Sequence, residues 1–379
     1  MSGRVRIGIL GFGLHGVRRL VPAFRNCVHA EFAGLWRRDG EAAQKNCSDY
    51  GVPLCFRSRE ELCSSPDIDV VFVTSPDAMH CDDVLLALRS GKAVLCEKPL
   101  AMTGSQALEI HAAARDAGLL LGVAQNYRYN RSLEWLREQV QGGAIGKPQM
   151  AHVQFSSPAY LSPRRWIADA SIACGGPIGD VGVHCIDALR FVLNEEVLSV
   201  STLAQQDELS GAVESRAALQ LEMTGDVFAN VMVSARGKYR TLIEVTGTEG
   251  VVIAENGLTV DKPIEMMLRR GGELVEKVTV ENLDGYTRML DGFALAYRGE
   301  GSYVATGEDG VKNMLALDAA FSSWRSGKRE RVASADGDTP IDRNGSTGQW
   351  RPKLWSLSCE SSRGSDAVLR QAEDISYIR

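Results

Sequence analysis

Between residues 5 and 125, short apolar runs alternate with longer amphipathic segments. The runs VRIGIL, FAGLW, VVFVT, AVLC and LLLGVA are β-branched or continuously apolar, the pattern of strands covered on both faces. Helical spacing fills the intervals at about 14–25, 40–50, 77–89 and 104–117. Such alternation predicts a parallel sheet joined by right-handed crossovers. From about 150 to 280 the rhythm changes. After one helix near 179–193, strand-like runs follow one another: LSVSTLA, RAALQLEM, VFANVMVSA, LIEVTGT, GVVIAE, IEMMLRR and LVEKVTV. Their breaks, such as GTEG and RRGGE, are turn chemistry. This predicts a largely antiparallel sheet in an α+β domain, followed by an amphipathic helix over DGVKNMLALDAAFSSWRSG. The expected organisation is an α/β domain over residues 1–126 and an α+β domain over 127–332. The Ser-, Gly- and Asp-rich tail over 333–379 has no periodicity and reads as largely disordered.

Composition adds mainly exclusions. Of 379 residues, 44% are hydrophobic and 24% charged, the balance of an ordinary soluble chain long enough for two cores. A net charge of -6 argues against an electrostatic grip on nucleic acid or an anionic membrane. No apolar stretch approaches the ~20 residues that span a bilayer. The nine cysteines are odd in number and scattered, with no Cys-x-x-Cys pair, which points to a reducing cytoplasm rather than a disulfide framework. The start MSGRVRIGIL runs directly into a strand, with no room for the apolar segment of a signal peptide.

The first strand runs into GFGLHG, which sets Gly11, Gly13 and Gly16 at Gly-x-Gly-x-x-Gly spacing between a strand and a helix. The first glycine allows the tight turn, the second a close approach of backbone to a pyrophosphate, the third close helix–strand packing. The helix behind it aims free N–H groups at the phosphates, so a dinucleotide is expected, bound by a turn that includes Phe12 and Leu14. The second strand ends GLWRRDG, placing Arg37 and Arg38 where an acidic residue holds the ribose in an NAD site. Guanidinium groups there favour a 2′-phosphate and hence NADP(H). If both arginines are merely solvated, Asp39 takes the ribose and NAD(H) is the cofactor.

The strand AVLC stops on Glu97, Lys98 and Pro99. At the carboxyl end of a parallel strand those residues face the ligand crevice, with Lys98 directed at the nicotinamide end. Together, GFGLHG, EKPLA and CGGPIGDVGVHCID resemble the glucose-fructose oxidoreductase/inositol dehydrogenase/rhizopine catabolism family. The likeness runs through most of residues 4 to about 330 and takes in VTSPDAMH, NYRYN, GGAIGKPQ and VTGTEG. It implies a Rossmann domain, a second domain with an open sheet that packs against another subunit, and NAD(P)-dependent oxidation or reduction of sugars and polyols. It also implies cofactor contacts from Ser75, Pro76, His80 and Glu97, and contact of Lys98 with both cofactor and substrate. His80 has an alternative as a packing or capping residue. Several stretches, among them LRFVLN and TGEDGV, are similar to 1,5-anhydrofructose reductases.

In GDVGVHCIDALRFVL, at about 100° per residue, Asp180, His184, Asp187 and Phe191 share roughly 60° of arc, opposite an apolar stripe. That face is either solvent-exposed or a site, and the Gly175–Gly176 run with the family's Asp-x-x-x-His spacing favours the site. Hydride transfer from a carbinol requires the hydroxyl proton to leave, which suits His184 as proton donor or acceptor, with Asp180 orienting it or binding substrate. Lys98 polarises the substrate oxygen or joins the proton relay. The resemblance brings Trp166 and Arg128 toward the substrate, though a structural salt bridge suits Arg128 as well; Asp187 binds substrate or caps local structure. Asp180 and His184 have no third metal ligand nearby, so no metal is expected. Two other functions fit a nucleotide-binding chain: glycoside cleavage through transient oxidation on tightly held NAD, and a non-catalytic dinucleotide sensor.

Overall fold

Two sheets organise the chain. The computed structural model describes residues 3–162, 164–260 and 262–335. The first sheet holds six parallel strands in the order β3-β2-β1-β4-β5-β6. They are β1 (Val5–Leu10), β2 (Ala30–Trp36), β3 (Leu54–Cys55), β4 (Val70–Val73), β5 (Ala93–Cys96) and β6 (Leu121–Val123). β4 and β5 are buried at every position, as continuous apolar runs in a doubly covered sheet must be. The crossovers carry α1 (Val21–Asn26), α2 (Gly40–Tyr50), α3 (Arg59–Ser64), α4 (His80–Arg89) and α5 (Gly104–Asp116). Side-chain oxygens of Asp39, Ser58 and Thr103 accept the N–H groups that open α2, α3 and α5.

Beyond α6 (Arg131–Gln141), the second sheet begins with β7 (Pro148–Ser156), followed by α7 (Val183–Leu193). Its remaining strands are β8 (Val197–Gln205), β9 (Arg216–Met223), β10 (Phe228–Ser234), β11 (Arg240–Gly247), β12 (Gly250–Glu255), β13 (Pro263–Arg270) and β14 (Glu273–Glu281). After α8 (Gly285–Tyr297) and α9 (Gly307–Ser326), the short β15 (Glu330–Arg331) completes an order of β14-β13-β12-β11-β7-β10-β9-β8-β15. All its pairs are antiparallel except β7 with β10. The strands alternate buried and open positions, so one face packs on α6, α7 and α9. The other face leaves Met150, Leu203, Phe228 and Met232 exposed.

The expected helices and strands form, but the pattern did not mark the short β3, α3 and β15, nor β7, α6 or α8. PQMAHVQFS carries Gln and His among its apolar residues, yet it lies in the middle of the sheet with its inward positions buried. α8 buries Met289, Leu290, Phe293 and Ala294 in the core of the first sheet, so distant chain returns to cover it. Helical spacing also fails locally at Gly16–Leu20 and Ile178–Gly182, which are π-helical. Of the tail expected from 333, everything beyond 335 lies outside the described residues. Among the described residues, no helix is long and apolar enough to cross a membrane.

Candidate active site

The Gly-rich turn leaves β1 with Gly11 at a φ of 91°, a left-handed conformation that favours glycine. A Cβ on Gly11 would also lie 2.6 Å from Ser75 N. Gly16 seats the following helix on the Phe12 ring, 2.6 Å from where its Cβ would sit. Gly13 differs: the nearest atom to an added Cβ is Gly11 O at 3.8 Å, so this stretch of backbone is bare and lines the cleft. That bare backbone, followed by helical N–H groups, fits a pyrophosphate. Leu14 lines the same cleft, while the Phe12 side chain turns into the core against Phe32 and Tyr50. Phe12 therefore reaches a ligand through its backbone only.

The cleft has a volume of about 1110 Å³ and opens where β1, β4 and β5 end. Ser75 and Pro76 follow β4 along its wall, but the Ser75 hydroxyl donates inward to Asp83 at 2.6 Å. His80 is fully buried, with Nδ1 2.7 Å from Pro99 O and Nε2 2.8 Å from Ser75 O. Both ring nitrogens are thus committed to bracing the turn after β4 against the turn after β5. The Lys98–Pro99 peptide there is cis. Glu97 lies 3.0 Å from His15 Nε2; burial pushes its carboxyl up, and His15 and Lys98 reverse this and hold it below the usual range.

Lys98 reaches across to the second half of the site. Its Nζ donates to Asp180 O at 2.7 Å and to Asp180 Oδ1 at 3.2 Å, with both side chains 16% exposed. Arg164 Nη2 stands 3.4 Å from the other oxygen, Asp180 Oδ2. Burial raises the Asp180 carboxyl, but Arg164 and Lys98 outweigh it and hold the group well below the ordinary carboxylate value. His184 faces the same cleft, with Nδ1 3.1 Å from Gln125 Oε1 and its ring centroid 4.4 Å from that of Tyr127. Burial, then the Lys98 charge, pushes its imidazole well below the ordinary histidine value, against the opposing pull of Asp180. Trp166 also lines this end of the cleft.

Two expected substrate contacts point elsewhere. Arg128 donates to both carboxylate oxygens of Asp187, at 2.9 and 2.7 Å, and to Asp309 at 3.0 Å. Neither Arg128 nor Asp187 lines the cleft; both are buried at a junction with Arg190 and Asn313. The reason is the π turn at Ile178–Gly182, together with burial of α7 on almost every side. The polar arc drawn at a uniform 100° per residue does not stay on one surface once the turn widens. None of the three residues after β2 lines the cleft: Arg37 donates to Asn46 at 2.8 Å, Arg38 is exposed, and Asp39 caps α2 by accepting from Ala42 N at 3.0 Å.

Sequence reasoning missed His15, Gln125 and Tyr127 and left Arg164 unassigned. Gln125 carried a usable signal, since it follows β6 as Glu97 follows β5: a polar group at the carboxyl end of a buried parallel strand. His15 lay in plain view within the Gly-rich turn.

Family models match both halves of the chain. An oxidoreductase model described as an NAD-binding Rossmann fold matches residues 5–125, and a GFO/IDH/MocA C-terminal domain model matches 133–253. The chain is 32% identical over 331 residues to 1,5-anhydro-D-fructose reductase of Ensifer adhaerens, spanning 86% of this chain and 98% of that one. It is 28% identical over 326 residues to D-xylose 1-dehydrogenase (NADP(+)) 2 of Haloferax volcanii, spanning 84% and 97%. Among solved structures, aldose–aldose oxidoreductase from Caulobacter crescentus, complexed with glycerol, shares the fold with a TM-score of 0.80 at 23% identity, over 87% of this chain and all of that one.

Proposed function

The chain belongs to the Gfo/Idh/MocA family of NAD(P)-binding oxidoreductases, and from that we propose that it transfers a hydride between NADP(H) and a sugar, polyol or keto-sugar. The observation that carries this reading is the convergence of Lys98, Asp180 and His184 on one cleft with the bare backbone of Gly13. A nicotinamide bound there supplies a hydride acceptor for a carbinol, or a hydride donor for a carbonyl. The protein's own work is to hold the substrate oxygen and move its proton.

Gln125 Oε1 accepts from His184 Nδ1, which makes Nδ1 the protonated nitrogen and leaves Nε2 with a free lone pair. Burial keeps that ring neutral, so in the oxidative direction Nε2 takes the hydroxyl proton as the carbinol becomes a carbonyl. In the reductive direction the same nitrogen returns it. Lys98 donates to the substrate oxygen and stabilises alkoxide character, while Asp180 fixes Lys98 and accepts from a neighbouring hydroxyl. Trp166 offers a flat apolar surface to the sugar ring. The preference for NADP(H) rests on Arg37 and Arg38 at the end of β2, where Asp39 is already engaged as a helix cap. A second copy of the chain covers the exposed Met150, Leu203, Phe228 and Met232 of the open sheet.

The test is a screen of keto-sugars with NADPH and NADH, and of polyols with NADP and NAD, followed at 340 nm. A turnover that depends on the nicotinamide is the expected result; no absorbance change with any pair overturns the reading.

A further inference from the structure

A second, smaller pocket adjoins the cleft beside Asp180. Ser157, Ala159, Asp180 and Val181 line both spaces, so the two adjoin at these residues. The pocket has a volume of about 50 Å³, and its walls include Ile167, Pro177, Leu209 and Val213. Its two other charged residues are engaged elsewhere. Glu214 accepts the N–H groups of Ile178 at 2.7 Å and Gly176 at 2.9 Å. Arg236 is paired with Asp207 at 2.8 and 2.5 Å and lies 5.2 Å over the ring of Tyr160. The Ser210 and Ser234 hydroxyls are likewise engaged with nearby backbone, so apart from Ser157 and Asp180 on the side toward the cleft the lining is chiefly apolar, and the exposed side chains of Tyr160 and Leu209 extend that character to the rim.

We propose that this pocket is a substrate subsite for a short alkyl group, so that the preferred substrate is a sugar or polyol ending in a methyl rather than a hydroxymethyl group. The assignment rests on the hydride-transfer reading above and names the substrate class for it. Size sets the occupant: an apolar cavity of about 150 Å³ accepts benzene. At about 50 Å³, this one takes a methyl or ethyl group and excludes a ring. Polarity sets the rest. A terminal hydroxyl would enter a space whose walls are chiefly apolar and whose Glu214 already accepts two backbone N–H groups, and would lose water for little return. Asp180 at the neck remains able to accept from a hydroxyl further along the chain, so one substrate satisfies both surfaces.

The experiment compares 6-deoxy sugars with their hydroxymethyl parents, at 340 nm with NADPH and with NADH. The methyl-ended member should show the higher kcat/KM by roughly 10- to 100-fold, the range open to an apolar pocket. Val213→Thr keeps the shape but adds a hydroxyl and should shrink that ratio; Ala168→Leu fills the space and should abolish it. Equal or reversed preference in the natural protein overturns the subsite. Absence of turnover with every sugar overturns the hydride-transfer reading instead. In that event, saturation-transfer NMR on the deoxy sugar still decides the subsite. Saturation of its methyl protons that Ala168→Leu removes supports it, and no methyl saturation sinks it.

Discussion

Lys98 Nζ donates to the backbone carbonyl of Asp180 at 2.7 Å and to its carboxylate at 3.2 Å, so the end of β5 and the π turn before α7 meet at one pair of residues. The pair joins the two sheets at the point where the cleft needs charge. Each group also tunes a neighbour: Lys98 lowers the His184 imidazole and Asp180 raises it.

Replacing Lys98 by Met should therefore separate binding from chemistry. Loss of one preorganised donor to a developing oxyanion lowers kcat by roughly 10²- to 10³-fold. Nicotinamide fluorescence titration should still report cofactor binding, because the Gly-rich turn is untouched. A Lys98→Met protein with unchanged kcat would remove the lysine from the reaction.

Asp180→Asn keeps the shape but removes a charge that raises the His184 imidazole. The acid limb of the kcat/KM–pH profile, where His184 becomes protonated, should shift to lower pH than in the natural protein. A shift to higher pH would mean that Asp180 does not act on His184 electrostatically.

Stability carries its own pH signature. His184 has a folded-state value well below that of the unfolded chain, so below about pH 6.5 the unfolded state binds a proton that the folded state refuses. Its contribution is present above that pH and is lost as pH falls toward the folded value, at about 1.4 kcal/mol per pH unit. Denaturant melts between about pH 6.5 and 5 should show this slope, and His184→Asn should flatten it. An unaltered slope in the variant would mean that the ring is not held neutral.

Most of the fold was legible because buried parallel strands and half-buried antiparallel strands impose different periods on the sequence. Lys98 and Gly13 were legible for a related reason, since each interrupts such a period at an end that topology turns toward a crevice, whereas Asp180 and His184 stood out through their shared helical arc and the family's Asp-x-x-x-His spacing. The period failed where geometry departs from it. The π turn at Ile178–Gly182 moves Asp187 off the arc that a uniform 100° per residue gives it with Asp180, and Asp187 pairs with Arg128 instead. Tertiary packing hid the remainder. The Ser75 hydroxyl turns to Asp83 only eight residues on, and His80 braces Ser75 against Pro99, but which way these side chains turn is set by how α4 packs beside the ends of β4 and β5 and not by any period in the sequence.

Cofactor choice tests the end of β2. Arg38 is exposed and Arg37 half-buried on Asn46, so a 2′-phosphate would gain one or two charge-assisted hydrogen bonds there. Arg37→Ala combined with Arg38→Ala should weaken NADPH binding by roughly 10- to 100-fold while leaving NADH within a fewfold. Equal losses for both nucleotides would place the arginines outside the 2′-phosphate site, and tighter NADH than NADPH in the natural protein would reverse the preference.

The Arg128–Asp187 pair separates a structural role from substrate contact. Asp187 is 1% exposed and accepts from Arg128 and Asn313, while Arg128 also serves Asp309 and the carbonyl of Val304. Arg128→Met removes the fork that neutralises Asp187 and leaves a buried carboxylate with an amide as its nearest donor. Breaking a buried pair from one side costs about 3–5 kcal/mol, because the surviving charge is desolvated without compensation. The Arg190 guanidinium, 3.7 Å from Asp187 Oδ1, offsets part of that cost, so the loss should fall at the lower end. Urea melts should show it directly, and the folded variant should keep the KM of the natural protein. A large rise in KM without loss of stability would return Arg128 to the substrate.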